Sequence, residues 1–157
     1  MRALGGASWR CVVWRGRSGR DGGDLFSDGN VDVVIENIDG VPMLLRNHGV
    51  SGAHWIGFEL AGTKSNRLGI GARLKIVTNG IIQTGDVRSG GSYLSQSDLR
   101  VHFGLGSAVR VDEVEIRWPS GMMDVLKNLD ADKFYSVMEG KGQVPASSIR
   151  PDVPARK

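Results

Sequence analysis

The sequence predicts an all-β protein: an antiparallel β-sandwich or barrel-like domain preceded by a β-hairpin. Short runs of alternating apolar and polar residues recur at roughly ten-residue spacing, with turn residues between them. The 23 glycines also fit a chain with many tight turns. Because strand side chains point alternately to opposite faces, each run has one apolar and one polar face. Short strands in this arrangement are typical of sandwiches and barrels.

The first predicted strand pair lies within residues 31–47. An apolar run at 31–38 is followed by an Asp39-Gly40 turn and by VPMLLRN as the second strand. Asp-Gly between two apolar runs is a strong short-range signal for a hairpin. The polar, glycine-bearing link 47–53 follows, and we place a domain boundary there.

Residues 54–140 carry the strands of the predicted sandwich. They include HWIGFELAG, ARLKIV, IIQTGDVRS, LRVHF, EVEIRW, MMDVLKNL and DKFYSVMEG. The Asn79-Gly80 turn predicts a hairpin between ARLKIV and IIQTGDVRS. Residues 130–132 predict another hairpin, between the last two segments. Trp118-Pro119 ends its strand, because proline has no N–H to donate to a strand ladder.

The charge distribution argues against nucleic-acid binding. The 157 residues carry a net charge of +3, but the first 20 hold five arginines and no acid, so the rest carries −2. That remainder lacks the basic stripe with interleaved aromatic residues that nucleic-acid binding requires. We interpret residues 1–23 as an unstructured basic leader, or as the product of a truncated gene or wrong reading frame. Residues 141–157 are interpreted as a flexible tail.

Cysteine content and hydropathy limit the other classes. Cys11 is the single cysteine, which excludes an intrachain disulfide. No run approaches the ~20 apolar residues that a membrane-spanning helix needs. The start of the chain also lacks the ~7 or more consecutive apolar residues of a signal peptide, so none is predicted.

An Asp-rich loop is the best candidate for chemistry, as a calcium site. The predicted ligands are Asp24, Asp28, Asn30 and Asp32. The three aspartates occupy positions 1, 5 and 9 of a D-x-D-x-D-G-x-x-D pattern, with Gly29 at position 6. Closely spaced carboxylates and a backbone carbonyl supply the hard oxygen ligands that calcium prefers. Position 3 is Phe26, which cannot ligate an ion. The alternative is an Asx-type turn whose carboxylates accept backbone N–H bonds.

The histidines and tryptophans favour structural roles. His48, His54 and His102 have no local partner at the spacing of a zinc site. Trp55 and Trp118 fall on the apolar faces of their strands, where core packing is the default. A sugar-binding platform is the alternative for an exposed tryptophan.

Several segments together resemble the ASPIC/UnbV domain, over roughly residues 54–140. They are SNRLGIGARLKIVTNG, QTGDVRSGGSYLSQSDLRVHFGLG, VDEVEIRWPSG and MEG. This domain is the C-terminal module of proteins related to cartilage acidic protein and of their bacterial counterparts. Upstream, GDLFSDGNVDVVIENIDGVPMLLRN is similar to the last FG-GAP/VCBS-type repeat that precedes the domain in the family.

The resemblance implies the C-terminal part of a calcium-binding, integrin-like β-propeller protein. Such repeats build propeller blades and often bind calcium through the Asp loop, so Asp24, Asp28 and Asp32 would occupy ligand positions. A blade buries its faces only against neighbouring blades. Residues 24–50 would then be a partial repeat whose partners are the missing upstream blades.

The function implied is that of a non-enzymatic extracellular binding or structural module. Family members are secreted or on the cell surface, which in bacteria includes the periplasm, and they contact protein or glycan. The alternative is a hydrolase or carbohydrate-processing accessory domain, which would need paired carboxylates facing a cleft. Glu113 and Glu115 share a strand face and are its candidates, but their spacing is equally that of a solvated strand face.

Overall fold

The computed structural model describes residues 18–37, 41–90 and 96–149. Its regular structure is almost entirely β-strand, which confirms the all-β prediction. Two compact units are present. The first contains the described residues up to Ala53 and those within Arg88–Asp98, and the second contains His54–Val87 and the described residues from Leu99 onward. Across these ranges, no helix has the length and hydrophobicity that a membrane span requires.

An antiparallel three-stranded sheet forms the first unit, in the order β1-β2-β3. Its strands are β1 (Ser18–Gly23), β2 (Asp32–Asn37) and β3 (Met43–Leu45). The antiparallel β2–β3 pair agrees with the predicted hairpin, although the Asp39-Gly40 turn lies outside the described residues. Strand β1 corrects the prediction that residues 18–23 belong to an unstructured leader. Its pairing with β2 uses backbone groups alone, so SGRDGG needs no apolar alternation to join the sheet.

Two four-stranded sheets form the second unit, in the orders β11-β10-β4-β7 and β6-β5-β8-β9. The strands are β4 (His54–Ala61), β5 (Arg73–Thr78), β6 (Ile81–Asp86), β7 (Val101–Gly106), β8 (Arg110–Arg117), β9 (Met123–Asp130), β10 (Lys133–Met138) and β11 (Gly142–Val144). A short 3-10 helix at Ala146–Ser148 follows. Strand β11 pairs with β10, so the predicted flexible tail is corrected for the residues that this strand and helix occupy.

The core of the second unit lies between the inward faces of its two sheets. Its most deeply buried hydrophobic side chains, each at most 2% exposed, are Ile56, Phe58, Ala72, Leu74, Ile76, Val87, Val111, Val114, Ile116, Trp118 and Val137. The alternation predicted around β8 is observed, because Val114 and Ile116 face the core while Glu113 and Glu115 face outward. The second unit is therefore a sandwich-like domain rather than a closed barrel.

The two predicted turns of this unit have different outcomes. The Asn79-Gly80 hairpin is confirmed, since Asn79 and Gly80 have φ values of 49° and 77° and connect the antiparallel strands β5 and β6. Positive φ at both positions is what a two-residue type I′ turn requires. The predicted hairpin at 130–132 is wrong, because β9 pairs with β8 whereas β10 runs parallel to β4 in the other sheet.

The local hydrogen bonds explain why the chain changes sheets at 130–132. The N–H of Ala131 donates to the carbonyl of Val109, and the next N–H, that of Asp132, donates to the carbonyl of Trp55. Asp132 has φ 60°, so the backbone turns sharply directly after the second of these bonds. Turn residues in the sequence mark the reversal, but they do not say in which sheet the next strand pairs.

Candidate functional site

The first half of the Asp-rich loop is held together by the Asp24 carboxylate. Asp24 is 5% exposed, and its two oxygens accept the N–H groups of Asp28 at 3.0 Å and Gly29 at 2.9 Å. Gly29 has φ 85°, a left-handed conformation that glycine adopts without steric cost. The Asp24 side chain thus closes a tight turn over the following residues.

The Asp32 carboxylate connects this loop to the segment after β3. Asp32 is fully buried at the start of β2. One of its oxygens accepts the N–H of Asn47 at 2.9 Å, and the other accepts the N–H of Leu25 at 3.3 Å. These bonds satisfy a buried charged group with backbone donors, which offsets the cost of removing it from water.

Asp28 and Asn30 lie at the exposed end of the loop. One Asp28 oxygen accepts both the backbone N–H of Asn30 at 3.0 Å and its side-chain amide at 3.1 Å. The other oxygen forms an ion pair with Arg46 at 3.3 Å. Burial raises the pKa of Asp28, but the hydrogen bonds from Asn30 and Arg46 outweigh it, and the net pKa is lowered.

An internal cation lies at the exposed side of the loop. The Arg46 guanidinium lies 4.2 Å from the centre of the Phe26 ring, so an internal cation occupies the side of the loop formed by positions 3 and 5. In the part of the chain that the structure describes, no three His, Cys, Asp or Glu side chains are grouped to hold a metal. The contacts match an Asx-type turn, and calcium binding by Asp24, Asp28, Asn30 and Asp32 stays a prediction.

Sequence reasoning missed the most strongly perturbed carboxylate that the structure describes, that of Glu139. This residue follows β10 and is 1% exposed. One of its oxygens accepts three successive backbone N–H groups, those of Thr63, Lys64 and Ser65, each at 2.7 Å. Such a run of N–H groups forms an anion-binding concavity, here filled by a side chain of the same protein.

Two hydroxyl groups complete this arrangement, which we call the Glu139 anchor: Glu139 with its donors in Thr63, Lys64, Ser65 and Ser120. The second Glu139 oxygen accepts the hydroxyl groups of Ser65, at 2.9 Å, and Ser120. Burial raises the pKa of Glu139, but the bond from Ser120 and those from the three backbone N–H groups outweigh it and lower the pKa to about 2. The side chain is therefore ionised at neutral pH, and it joins three separate chain segments.

A signal for this anchor was present in the alternation of β10. Tyr135 and Val137 are buried on the inward face, and the next position of the same parity is Glu139. An acid in register with core residues indicates a buried carboxylate that needs donors.

The aromatic and histidine candidates serve packing. Trp118 is buried, and its indole N–H donates to Asp124 at 2.7 Å, which confirms core packing for this residue. Trp55 is half-buried and packs against His102, with ring centres 5.2 Å apart, and against Phe134, at 4.8 Å.

Among the described residues, His48 and His54 do not form a group of metal ligands with His102. His54 Nδ1 lies 2.7 Å from an Asp132 oxygen, and the other oxygen of Asp132 accepts the N–H of Trp55 at 3.3 Å. His48 is exposed in the link before the second unit. The His54–Asp132 contact thus connects the start of β4 with the start of β10.

The paired carboxylates of the hydrolase hypothesis each contact a cation. Glu113 lies 3.3 Å from Lys127, and Glu115 lies 3.8 Å from Arg117. A glycosidase acid must hold a proton, which a hydrophobic or acidic environment favours and a cation does not. The arrangement is that of charged side chains on a solvated sheet face.

These features define the second unit as a β-sandwich in which a buried carboxylate joins distant loops. A family model described as "ASPIC and UnbV" matches residues 62–144, more than half of the chain. The chain therefore belongs to the ASPIC and UnbV family, and the matched segment contains Glu139 and all of its donors. No curated protein sequence matches the chain.

Proposed function

We propose that this chain is a non-enzymatic extracellular module with a binding or structural role, contacting protein or glycan. The observation that carries the proposal is the Glu139 anchor. Its five donors occupy both carboxylate oxygens and hold the group ionised. A general acid needs the opposite environment, one that raises the pKa and leaves the proton free to move. This carboxylate serves the architecture of the domain.

The first unit belongs to the same proposal as the last FG-GAP/VCBS repeat of a propeller. Support comes from the antiparallel sheet β1-β2-β3 and from the Asp loop placed between its first two strands. In the full-length protein, calcium would be bound through Asp loops of this kind, here with Phe26 in place of the acidic residue at position 3. Such a protein would be secreted, periplasmic or on the cell surface. The DNA upstream of Met1 tests this point, since further D-x-D-x-D-G repeats are expected in frame.

Binding without turnover is the direct test of the functional proposal. The purified chain is applied to an array of glycans and immobilised extracellular proteins, and every retained ligand is then incubated with the protein and analysed by mass spectrometry. We expect retention with unchanged ligand mass. Product formation that Glu115→Gln abolishes would instead establish the hydrolase alternative, because Glu115 is one of its two candidate acids.

A further inference from the structure

The outer face of the sheet β6-β5-β8-β9 carries a pocket of about 390 Å³. The lining residues are Arg73, Leu74 and Lys75 of β5, Thr84 and Asp86 of β6, and Glu115 and Arg117 of β8. All of them lie on paired strands, so the backbone fixes their spacing. The volume is at the low end of the roughly 300–1,000 Å³ of small-ligand sites, which favours a small ligand.

The strand register brings two like charges together in this pocket. Arg73 lies directly opposite Arg117, in the β5–β8 pair. Like charges directly opposite each other destabilise a sheet. Each arginine contacts an acid: Arg73 lies 3.2 Å from Asp86, and Arg117 lies 3.8 Å from Glu115. Both guanidinium groups remain largely exposed, at 76% and 65%, and are accessible to a ligand.

Lys75 lies on the same face of β5 as Arg73, two residues further along the strand. It is half-buried, opposite Glu115 on β8 and Thr84 on β6. Over the described ranges, no hydrogen bond or ion pair joins the Lys75 ammonium to another group. The pocket thus contains three cations and two carboxylates, a net charge of +1.

We propose that this pocket binds an acidic saccharide, a uronate. The sugar carboxylate would lie at Lys75, near Arg73 and Arg117, and its hydroxyl groups would donate to Asp86 and Glu115. Charge-assisted hydrogen bonds of this kind are about twice as strong as neutral ones. An acidic peptide fits less well, because the two pocket carboxylates repel its acidic side chains, whereas the hydroxyl groups of a uronate can donate hydrogen bonds to them. This inference rests on the proposed binding function and names the ligand class for it.

The test titrates the full chain with trigalacturonate as the probe and follows the NMR shifts of the backbone amides. We expect shifts concentrated on β5, β6 and β8, with binding that weakens as salt is added. Lys75→Gln should weaken binding roughly tenfold or more, the value of one charge-assisted bond. Lys127→Gln is the matched control, because Lys127 lies on β9 of the same sheet, outside the pocket, 3.3 Å from Glu113. That control should change affinity by less than about twofold.

Four outcomes would overturn the inference. These are the absence of binding, equal losses in the two variants, equal binding of the neutral methyl ester, and tighter binding of a hexaglutamate peptide. The last outcome would assign the pocket to acidic polypeptides. None of the four outcomes contradicts the proposed binding function, which fails if the array retains no ligand or if retained ligands are converted to products. The two ideas therefore fail in distinguishable ways.

Discussion

The Glu139 anchor makes a quantitative prediction about stability. Glu139→Gln keeps the size of the side chain but removes the charge and replaces one acceptor oxygen with a donor NH₂ group. With its oxygen towards the three N–H groups, the amide can donate its NH₂ to the Ser65 and Ser120 hydroxyl oxygens, so the main loss is the charge that strengthens all five bonds. Hydrogen bonds to a charged group stabilise a protein more than neutral ones do.

The magnitude follows from the pKa. The pKa of Glu139 falls from 4.5 to about 2 in the folded protein, and at 1.36 kcal/mol per pKa unit this corresponds to about 3 kcal/mol. The Thr63 and Lys64 side of the anchor is exposed, so solvent screening reduces the expected value to about 2 kcal/mol.

The dependence on pH has a definite sign. A lowered folded-state pKa stabilises the protein fully above the unfolded pKa of 4.5, and the stabilisation is lost as pH falls towards 2. The difference between wild type and Glu139→Gln should therefore shrink from about 2 kcal/mol at pH 7 to about 1 kcal/mol at pH 3.

Urea unfolding followed by tryptophan fluorescence measures this difference, with wild type and variant compared at each pH. Glu113→Gln is the control, because that carboxylate lies on the exposed sheet face and should cost less than about 1 kcal/mol. If Glu139→Gln does not fold, Ser120→Ala removes a single hydroxyl donor and should cost about 1 kcal/mol, again more at pH 7 than at pH 3. Equal stability of Glu139→Gln and wild type, or a difference independent of pH, would refute the argument.

Three further predictions concern the loop and two glycines. Calcium should raise the Tm of Phe26→Asp with Arg46→Gln more than that of wild type, because the variant supplies a ligand and removes the internal cation. An equal rise in the two proteins would contradict the role assigned to Arg46. Gly57→Ala should lower stability by about 1–3 kcal/mol in chemical unfolding, since a Cβ at Gly57 would overlap the Phe134 ring; an unchanged midpoint would mean that the ring moves freely. Gly80→Val should cost about 1–2 kcal/mol by the same measurement, because Gly80 has φ 77°, and no loss would show that the turn adopts another type.

Local chemistry explains which parts of the fold the sequence could predict. The alternation of Val114 and Ile116 with Glu113, and the Asn79-Gly80 turn, depend on neighbouring residues only, and both were predicted from their sequence. The pairing of β10 with β4 joins residues almost 80 positions apart, Lys133 with Ile56, and no local pattern encodes such a contact. Strand β1 was missed for a related reason, since its pairing depends on backbone groups that every residue carries.

The candidate sites also divide into those that a local sequence pattern predicts and those that depend on distant residues. The Asp loop was found because its ligand pattern is contiguous, but the role of Arg46 was not, because this residue lies 18 positions from Asp28. The alternation of Glu139 with Val137 is visible in the sequence, but the sequence does not identify Glu139 as a site, because its donors come from two remote segments. Thr63, Lys64 and Ser65 look like an ordinary polar turn until the fold brings the carboxylate to them.

The fold shows that the folded domain extends beyond the residues that match the family model. The match begins at residue 62, immediately after β4, although β4 is a central strand that pairs with both β7 and β10. Ile56 and Phe58 of this strand are fully buried in the core. The folding unit must therefore be longer than the matched segment and include His54–Ala61. Within the match, the Glu139 anchor ties the loop that leaves β4 to the end of β10, so it closes the domain around a strand that lies outside the matched residues.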